Sequence, residues 1–145
     1  DLMPARTATA KWQGTLKEGN GTVALGSGAF QGKYSFGTRF EGAPGTNPEE
    51  LLGAAHAGCF SMALSAALGR AGFQPQSVET SAAVHLDKLE SGFAITRIVL
   101  TTRGVVPGIS EEEFVRFAED AKKNCIIAKA LASVAVELHA SLAPA

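Results

Sequence analysis

Two cysteines, Cys59 and Cys125, are the only thiols in the chain, and their settings differ. Cys59 lies within the longest uncharged run, Leu51 to Gly69. Cys125 stands between a charged helical pattern ending at Lys122-Lys123 and the short apolar stretch Ile126-Ile127-Ala128. A cysteine nucleophile needs a lowered pKa, usually from a nearby cation, and access for its substrate. Arg39, flanked by the uncharged Thr38 and Phe40, is the cation best placed by sequence context. At the start of a helix, Cys125 would also gain thiolate stabilisation from the N-terminal dipole. Glu49 and Glu50 read as ordinary acids of a first helical turn, and His56, one turn before Cys59, as filling for the core. The plain alternative for Cys59 is a small hydrophobe buried in an apolar helix. Residue types alone leave the thiols either as reduced bystanders or as a pair whose bond forms and breaks during function.

Bulk properties narrow the field. A chain of 145 residues fits a single domain, 1–145, with one core. A formal net charge of −1 offers no general attraction to nucleic acid or acidic membranes, and no basic stripe appears. Asp1-Leu2 ahead of Met3 reads as a processing or expression remnant, and no secretory leader is expected. The expected compartment is therefore the cytoplasm, where a persistent structural disulfide is unfavoured. Metal binding is not expected from two cysteines and three scattered histidines, because no CxxC or HxxxH spacing occurs. His85 and His139 fall on strand patterns and carry no chemical signal. The Leu51–Gly69 run approaches a minimal bilayer span of roughly 20 residues. Its His56, Ser61, Ser65 and many Ala and Gly favour a buried central helix instead.

The elements that must position these residues are legible in outline. Arg6 to Leu16, Gly21 to Leu25 and Tyr34 to Phe40 are rich in Thr, Val and aromatic residues, and predict a three-stranded meander. Asn47, Pro48 and Glu50 make a helix start: an N-cap, a proline at the first helical position and a capping-box acid. That helix runs to a stop at Gly72, with apolar residues on nearly every face, which predicts burial on all sides. A small domain rarely buries six turns completely, so a dimer pairing two such helices is expected. Ser77 to Leu89 and Phe93 to Val106 predict a hairpin around Glu90-Ser91-Gly92. Ser110 opens an amphipathic helix, Asn124 interrupts it and caps a short helix through Leu131, and Ser133 to Leu142 alternates as a half-buried strand. The class is α+β rather than a βαβ parallel sheet.

Resemblance goes further than residue types. Arg39-Phe40-Glu41-Gly42, followed by Gly45-Thr46-Asn47-Pro48-Glu49-Glu50 and Gly53-Ala54-Ala55-His56-Ala57-Gly58-Cys59, closely resembles the osmotically inducible protein C family, allied to the organic hydroperoxide resistance proteins. The likeness extends from Lys11-Trp12-Gln13-Gly14 through Asp87-Lys88 and Gly92-Phe93-Ala94-Ile95-Thr96 to the Cys125 helix. It implies a thiol-dependent peroxidase for organic and, less efficiently, inorganic hydroperoxides. It further implies an intertwined homodimer with no metal or flavin, whose cofactor-free cycle is closed by an external dithiol reductant; a lipoylated protein is one candidate. By motif position Cys59 matches the peroxidatic cysteine, Cys125 the resolving cysteine, and Arg39 and Glu49 the polar pair that activates the thiolate. Phe36, Phe40, Ile126 and Ile127 are candidates for an apolar mouth. The chain departs from the family pattern after the second cysteine, with Ile126 where Pro is usual and Ala128 where Ser is usual. The rival expectation is a non-catalytic dimeric protein that binds an apolar ligand, its cysteines serving as packing. Helix geometry adds one expectation: Glu49 and Cys59, ten residues apart on one helix, are separated by about 15 Å along its axis and about 80° around it. A site shared between subunits, with Cys59 and Cys125 from one and Arg39 and Glu49 from the other, resolves that separation.

Overall fold

Gly21 shows how tightly the sheet of the N-terminal segment is built. In this computed structural model, which describes residues 3–145, Gly21 pairs with Trp12 on one side and Tyr34 on the other. A Cβ at Gly21 would stand 2.7 Å from the Trp12 ring and 2.6 Å from the Tyr34 ring, so the two aromatics meet over a residue that must lack one. Asp1-Leu2 lie outside the described residues. By internal contacts the chain forms two units, one through Leu51 and one spanning Leu52–Ala145. Each contains a three-stranded sheet.

The first unit is an antiparallel meander of β1 (Ala8–Gln13), β2 (Asn20–Leu25) and β3 (Gln31–Tyr34). The strand expected from Tyr34 to Phe40 ends at Tyr34, and a one-turn helix, α1 (Phe36–Phe40), takes its place. The cause is local. Ser35 Oγ accepts from the Thr38 N–H at 3.2 Å, and Thr38 Oγ1 accepts from the Ser35 N–H at 2.8 Å, a reciprocal capping box that overrides the strand preference of the aromatics. The expected first strand, Arg6 to Leu16, is likewise shorter. Gly19 N–H donates to the Thr15 carbonyl at 2.8 Å, closing a turn before β2.

Helix α2 (Pro48–Arg70) is unbroken through 23 residues and begins in the first unit. Asn47 Oδ1 accepts from the Glu50 N–H at 2.7 Å, the expected cap. The return half of the capping box is not formed. The Glu50 carboxylate instead accepts from the Thr46 hydroxyl at 2.8 Å. Nor is α2 buried on all sides within one chain. Gly53, His56, Phe60, Leu64 and Leu68 form a single buried stripe at intervals of three and four. Ala54, Ala55, Gly58, Met62, Ser65 and Ala66 are exposed, with Met62 at 76%. By length and composition α2 is apolar enough to cross a membrane, but its buried stripe belongs to a packed core.

In the second unit, β4 (Ser77–Leu89) and β5 (Gly92–Val105) form the expected hairpin, with one irregularity of register between His85 and Leu86. Helices α3 (Glu111–Asn124) and α4 (Ile126–Ala130) then return the chain to β6 (Ala135–Leu142). β6 lies parallel to β5, so within the α+β class β5, α3, α4 and β6 form one parallel crossover that local alternation does not predict. Phe60, Leu64 and Leu68 of α2, Ile98 and Leu100 of β5, and Phe114, Ala118 and Ala121 of α3 share one core with Cys125. Phe114 reaches the sheet only because residue 104 has no side chain: a Cβ there would meet two ring atoms at 2.6 Å. Gly104→Ala is therefore expected to destabilise the protein by about 1–3 kcal/mol through overpacking. Urea denaturation measures it, and a midpoint equal to wild type would refute this packing account.

Candidate active site

Arg39 is positioned from both sides. Its backbone belongs to the single turn of α1, fixed by the Ser35–Thr38 box. Its guanidinium meets Glu49 in the first turn of α2, with Nε donating to Oε1 at 3.0 Å and Nη2 to Oε2 at 2.8 Å. Two parallel charge-assisted bonds fix the plane of the group as well as its location. Bonding to Glu49 raises the Arg39 pKa, opposed by partial burial and helped by the charge of Glu49 and by the nearby Tyr34. The Arg39 side chain stays 38% exposed while Glu49 is 12% exposed, so the cation is held but still presented outward. Nη1 has no hydrogen-bond partner among the described residues. Asn47 ties the two helices further, its Nδ2 donating to the Thr38 carbonyl at 3.3 Å.

The thiols form a second constellation. Cys59 is half-buried on α2, Cys125 is buried, and both are free. Cys125 ends α3 and caps α4, with Sγ accepting from the Ala128 N–H at 3.4 Å. Asn124, expected as this cap, is instead the last residue of α3. The expected thiolate stabilisation at Cys125 is also corrected. Burial pushes its pKa up and outweighs the favourable N–H groups of Ala128 and Ile127, and interaction with the adjacent Cys59 raises it again. Cys125 thus rests as a protonated thiol next to Cys59. The residues that set this part of α2 on its sheet were not anticipated. Ser61, two positions beyond Cys59, donates to Thr80 Oγ1 at 2.8 Å, Thr80 and Thr102 hydroxyls bond at 2.9 Å, and Thr102 donates to the Glu79 carbonyl at 3.3 Å. Three hydroxyl residues on three elements carry no spacing signal in a sequence.

His56, read as core filling, is fully buried. Neither ring nitrogen has a hydrogen-bond partner among the described residues. Burial lowers its pKa from the ordinary 6.5. The neutral ring is the folded form, so its stability contribution is complete above the unfolded pKa near 6.5. That contribution is lost as pH falls below it, because the unfolded chain then binds a proton that the folded chain refuses. The slope from this group is at most about 1.4 kcal/mol per pH unit. Urea midpoints between pH 7.5 and 5.5 are expected to fall less in His56→Leu than in wild type. Equal falls would remove His56 as the source.

Among the described residues no group of three or more His, Cys, Asp or Glu side chains could hold a metal ion. What the constellations offer is thiol chemistry: a half-buried cysteine with a second cysteine beside it, and separately an oriented guanidinium.

Comparison with known proteins agrees. Residues 40–139 match the family model described as OsmC-like protein. The chain is 54% identical to peroxiredoxin OsmC of Escherichia coli over 123 residues, covering 84% of this chain and 86% of that one. It is 32% identical over 85 residues to an organic hydroperoxide resistance protein of Xanthomonas axonopodis pv. citri, covering 58% of each. Among solved structures, the organic hydroperoxide resistance protein OhrB of Bacillus subtilis superposes with a TM-score of 0.74 at 26% identity, covering 93% of this chain and 98% of that one. The α+β architecture is that of these proteins, and the chain belongs to the OsmC-like family.

Proposed function

We propose that this chain is a thiol-dependent peroxidase that reduces organic hydroperoxides to alcohols, the two units of residues 1–145 working as a single domain. The observation that carries the reading is the adjacency of Cys59 and Cys125 in a fold whose relatives are named peroxiredoxin OsmC and organic hydroperoxide resistance protein. Cys59 as thiolate attacks the nearer peroxide oxygen. The O–O bond breaks, the alkoxide leaves and takes up a proton to become the alcohol, and the sulfur becomes a sulfenic acid. Cys125 then attacks that sulfur, water departs, and a Cys59–Cys125 disulfide remains. An external dithiol, in the manner of a lipoylated protein, returns both sulfurs to thiols and is itself oxidised. The protonated state of Cys125 suits this order, since a thiol held neutral does not compete with Cys59 for the peroxide. Arg39, oriented by Glu49, donates to the peroxide oxygens where negative charge develops.

The working form in this reading is a homodimer in the cytoplasm. The exposed Ala54, Ala55, Gly58, Met62 and Ala66 face of α2 is too apolar to remain in water along so much of one helix, and a second copy covers it. Consumption of cumene hydroperoxide in the presence of a dithiol tests the activity. Steady turnover with loss of both free thiols and no covalent dimer on non-reducing gels is the expected result. A protein that leaves the peroxide untouched would instead be the apolar-ligand binder.

A further inference from the structure

The hydroxyls that join α2 to its sheet form a chain whose direction is fixed. Ser61 donates to Thr80 Oγ1 at 2.8 Å, and Thr102 donates to the Glu79 carbonyl at 3.3 Å. Each hydroxyl carries one proton, so Thr80 is the donor in its 2.9 Å bond with Thr102. Every proton is spent, and the chain ends on the backbone of β4. Thr80 and Thr102 are directly paired across β4 and β5, and Thr102 is fully buried. A buried hydroxyl costs free energy unless it is bonded, so this arrangement is strongly preferred over any that breaks the chain.

Cys59 and Ser61 are two residues apart, hence about 200° apart around α2, with the buried Phe60 between them. Ser61 belongs to the flank turned to β4. Cys59 lies on the other flank, in line with Ala63 and Ala67. On that side α2 meets α3 across a groove of about 550 Å3, lined among others by Ala63, Ala67, Phe117, Ala121 and Asn124. Alanine side chains facing open space oppose rotation weakly, and the apolar contacts of Phe60, Leu64 and Leu68 are non-directional. Within the chain, the hydroxyls are therefore the directional restraint on the roll of α2. A roll of about 10° moves an atom roughly 5–6 Å from the helix axis by about 1 Å. Cys125 does not follow such a roll, since it is buried in the core and caps α4.

We propose that Ser61, Thr80 and Thr102 are positioning residues for the disulfide step, setting the roll of α2 so that the Cys59 sulfur stays within reach of Cys125. The proposal rests on the peroxidase reading above and deepens it. A peroxide diffuses to the Cys59 sulfur and adjusts to it, whereas Cys125 is fixed. Loosening the roll therefore falls on the second step, in which Cys125 attacks the Cys59 sulfenic acid, the S–S bond forms and water departs.

Thr102→Val keeps the branched shape of the side chain and removes the hydroxyl. Its Cys59–Cys125 disulfide can be equilibrated with dithiothreitol, whose ring closes as the protein disulfide opens. That disulfide should be about tenfold less favoured than in wild type, about 30 mV toward easier reduction. After mixing with one equivalent of cumene hydroperoxide, disulfide formation should slow by about tenfold to a hundredfold, the effect of roughly 1 Å of misplacement. Sulfenic acid formation should stay within about threefold of wild type. Thr80→Ser keeps the hydroxyl and should behave as wild type. Ser61→Ala, at a half-buried position, should repeat the Thr102→Val result and serves if that variant folds poorly. A merely structural role lowers the urea midpoint but leaves the dithiothreitol equilibrium and the ratio of the two rates unchanged. That result, or equal slowing of both steps, overturns the proposal. Absence of Cys59-dependent peroxide consumption in wild type removes the peroxidase reading, while the dithiothreitol equilibrium, which involves no peroxide, still decides the positioning role.

Discussion

Cys59→Ser is expected to lose hydroperoxide consumption by a factor on the order of 10³ or more, because the remaining thiol, Cys125, is buried and held protonated. Cys125→Ser is expected to behave differently: it consumes about one equivalent per chain and stops. The difference follows from the order of bond changes. The first step needs only the Cys59 sulfur, and the sulfenic acid it forms is stranded once its neighbour lacks a thiol. Stopped-flow mixing with cumene hydroperoxide, with product alcohol quantified against protein, separates the two variants. Because Cys125 is buried in the core and caps α4, its loss will also cost some stability. The burst is a stoichiometry, however, and a partly unfolded preparation lowers its size without turning it into steady turnover. Sustained turnover by Cys125→Ser at the wild-type rate would remove the resolving role. Any turnover by Cys59→Ser near that of wild type would falsify the peroxidatic assignment.

What could be read from the chain and what could not divide along physical lines. The start of α2 was legible because capping is local chemistry: Asn47 and Pro48 act within a turn of their own positions. The β4–β5 hairpin was legible for the same reason, through Glu90-Ser91-Gly92. Tyr34 to Phe40 misled because its aromatics favour strands on average, while a Ser and a Thr three residues apart decide the backbone there. The parallel placement of β6 depends on where α3 and α4 deliver the chain, which no local pattern of alternation contains. At the site, sequence identified the residue types but not their protonation. A helix start argues for a thiolate at Cys125, yet its position in the core reverses the sign. Burial is a tertiary quantity, and here it is the larger effect. The Arg39–Glu49 clamp rested on resemblance alone, since ten positions between a cation and an acid carry no geometric information until α1 and α2 exist.

The arrangement of catalytic groups between subunits gives the most demanding test. Helix α2 runs without a break from Pro48 to Arg70, so Glu49 and Cys59 are about 15 Å apart along its axis. The clamp holds Arg39 at the Glu49 end of that helix. In the proposed homodimer, a guanidinium that serves Cys59 is then most simply supplied by the second subunit, whose own α2 would cover the exposed apolar face of the first. Arg39→Ala alone should reduce kcat/KM by about 10²–10³, the usual effect of removing a donor aimed at developing charge. Arg39→Ala and Cys59→Ser homodimers are therefore both nearly inactive. Refolded together, they form hybrids in which an intact Cys59 faces an intact Arg39 from the neighbouring subunit. With half of the dimers hybrid and one of two sites restored in each, about a quarter of the wild-type activity should return. If every site were built within one chain, each hybrid subunit would still lack one of its groups, and mixing would restore nothing.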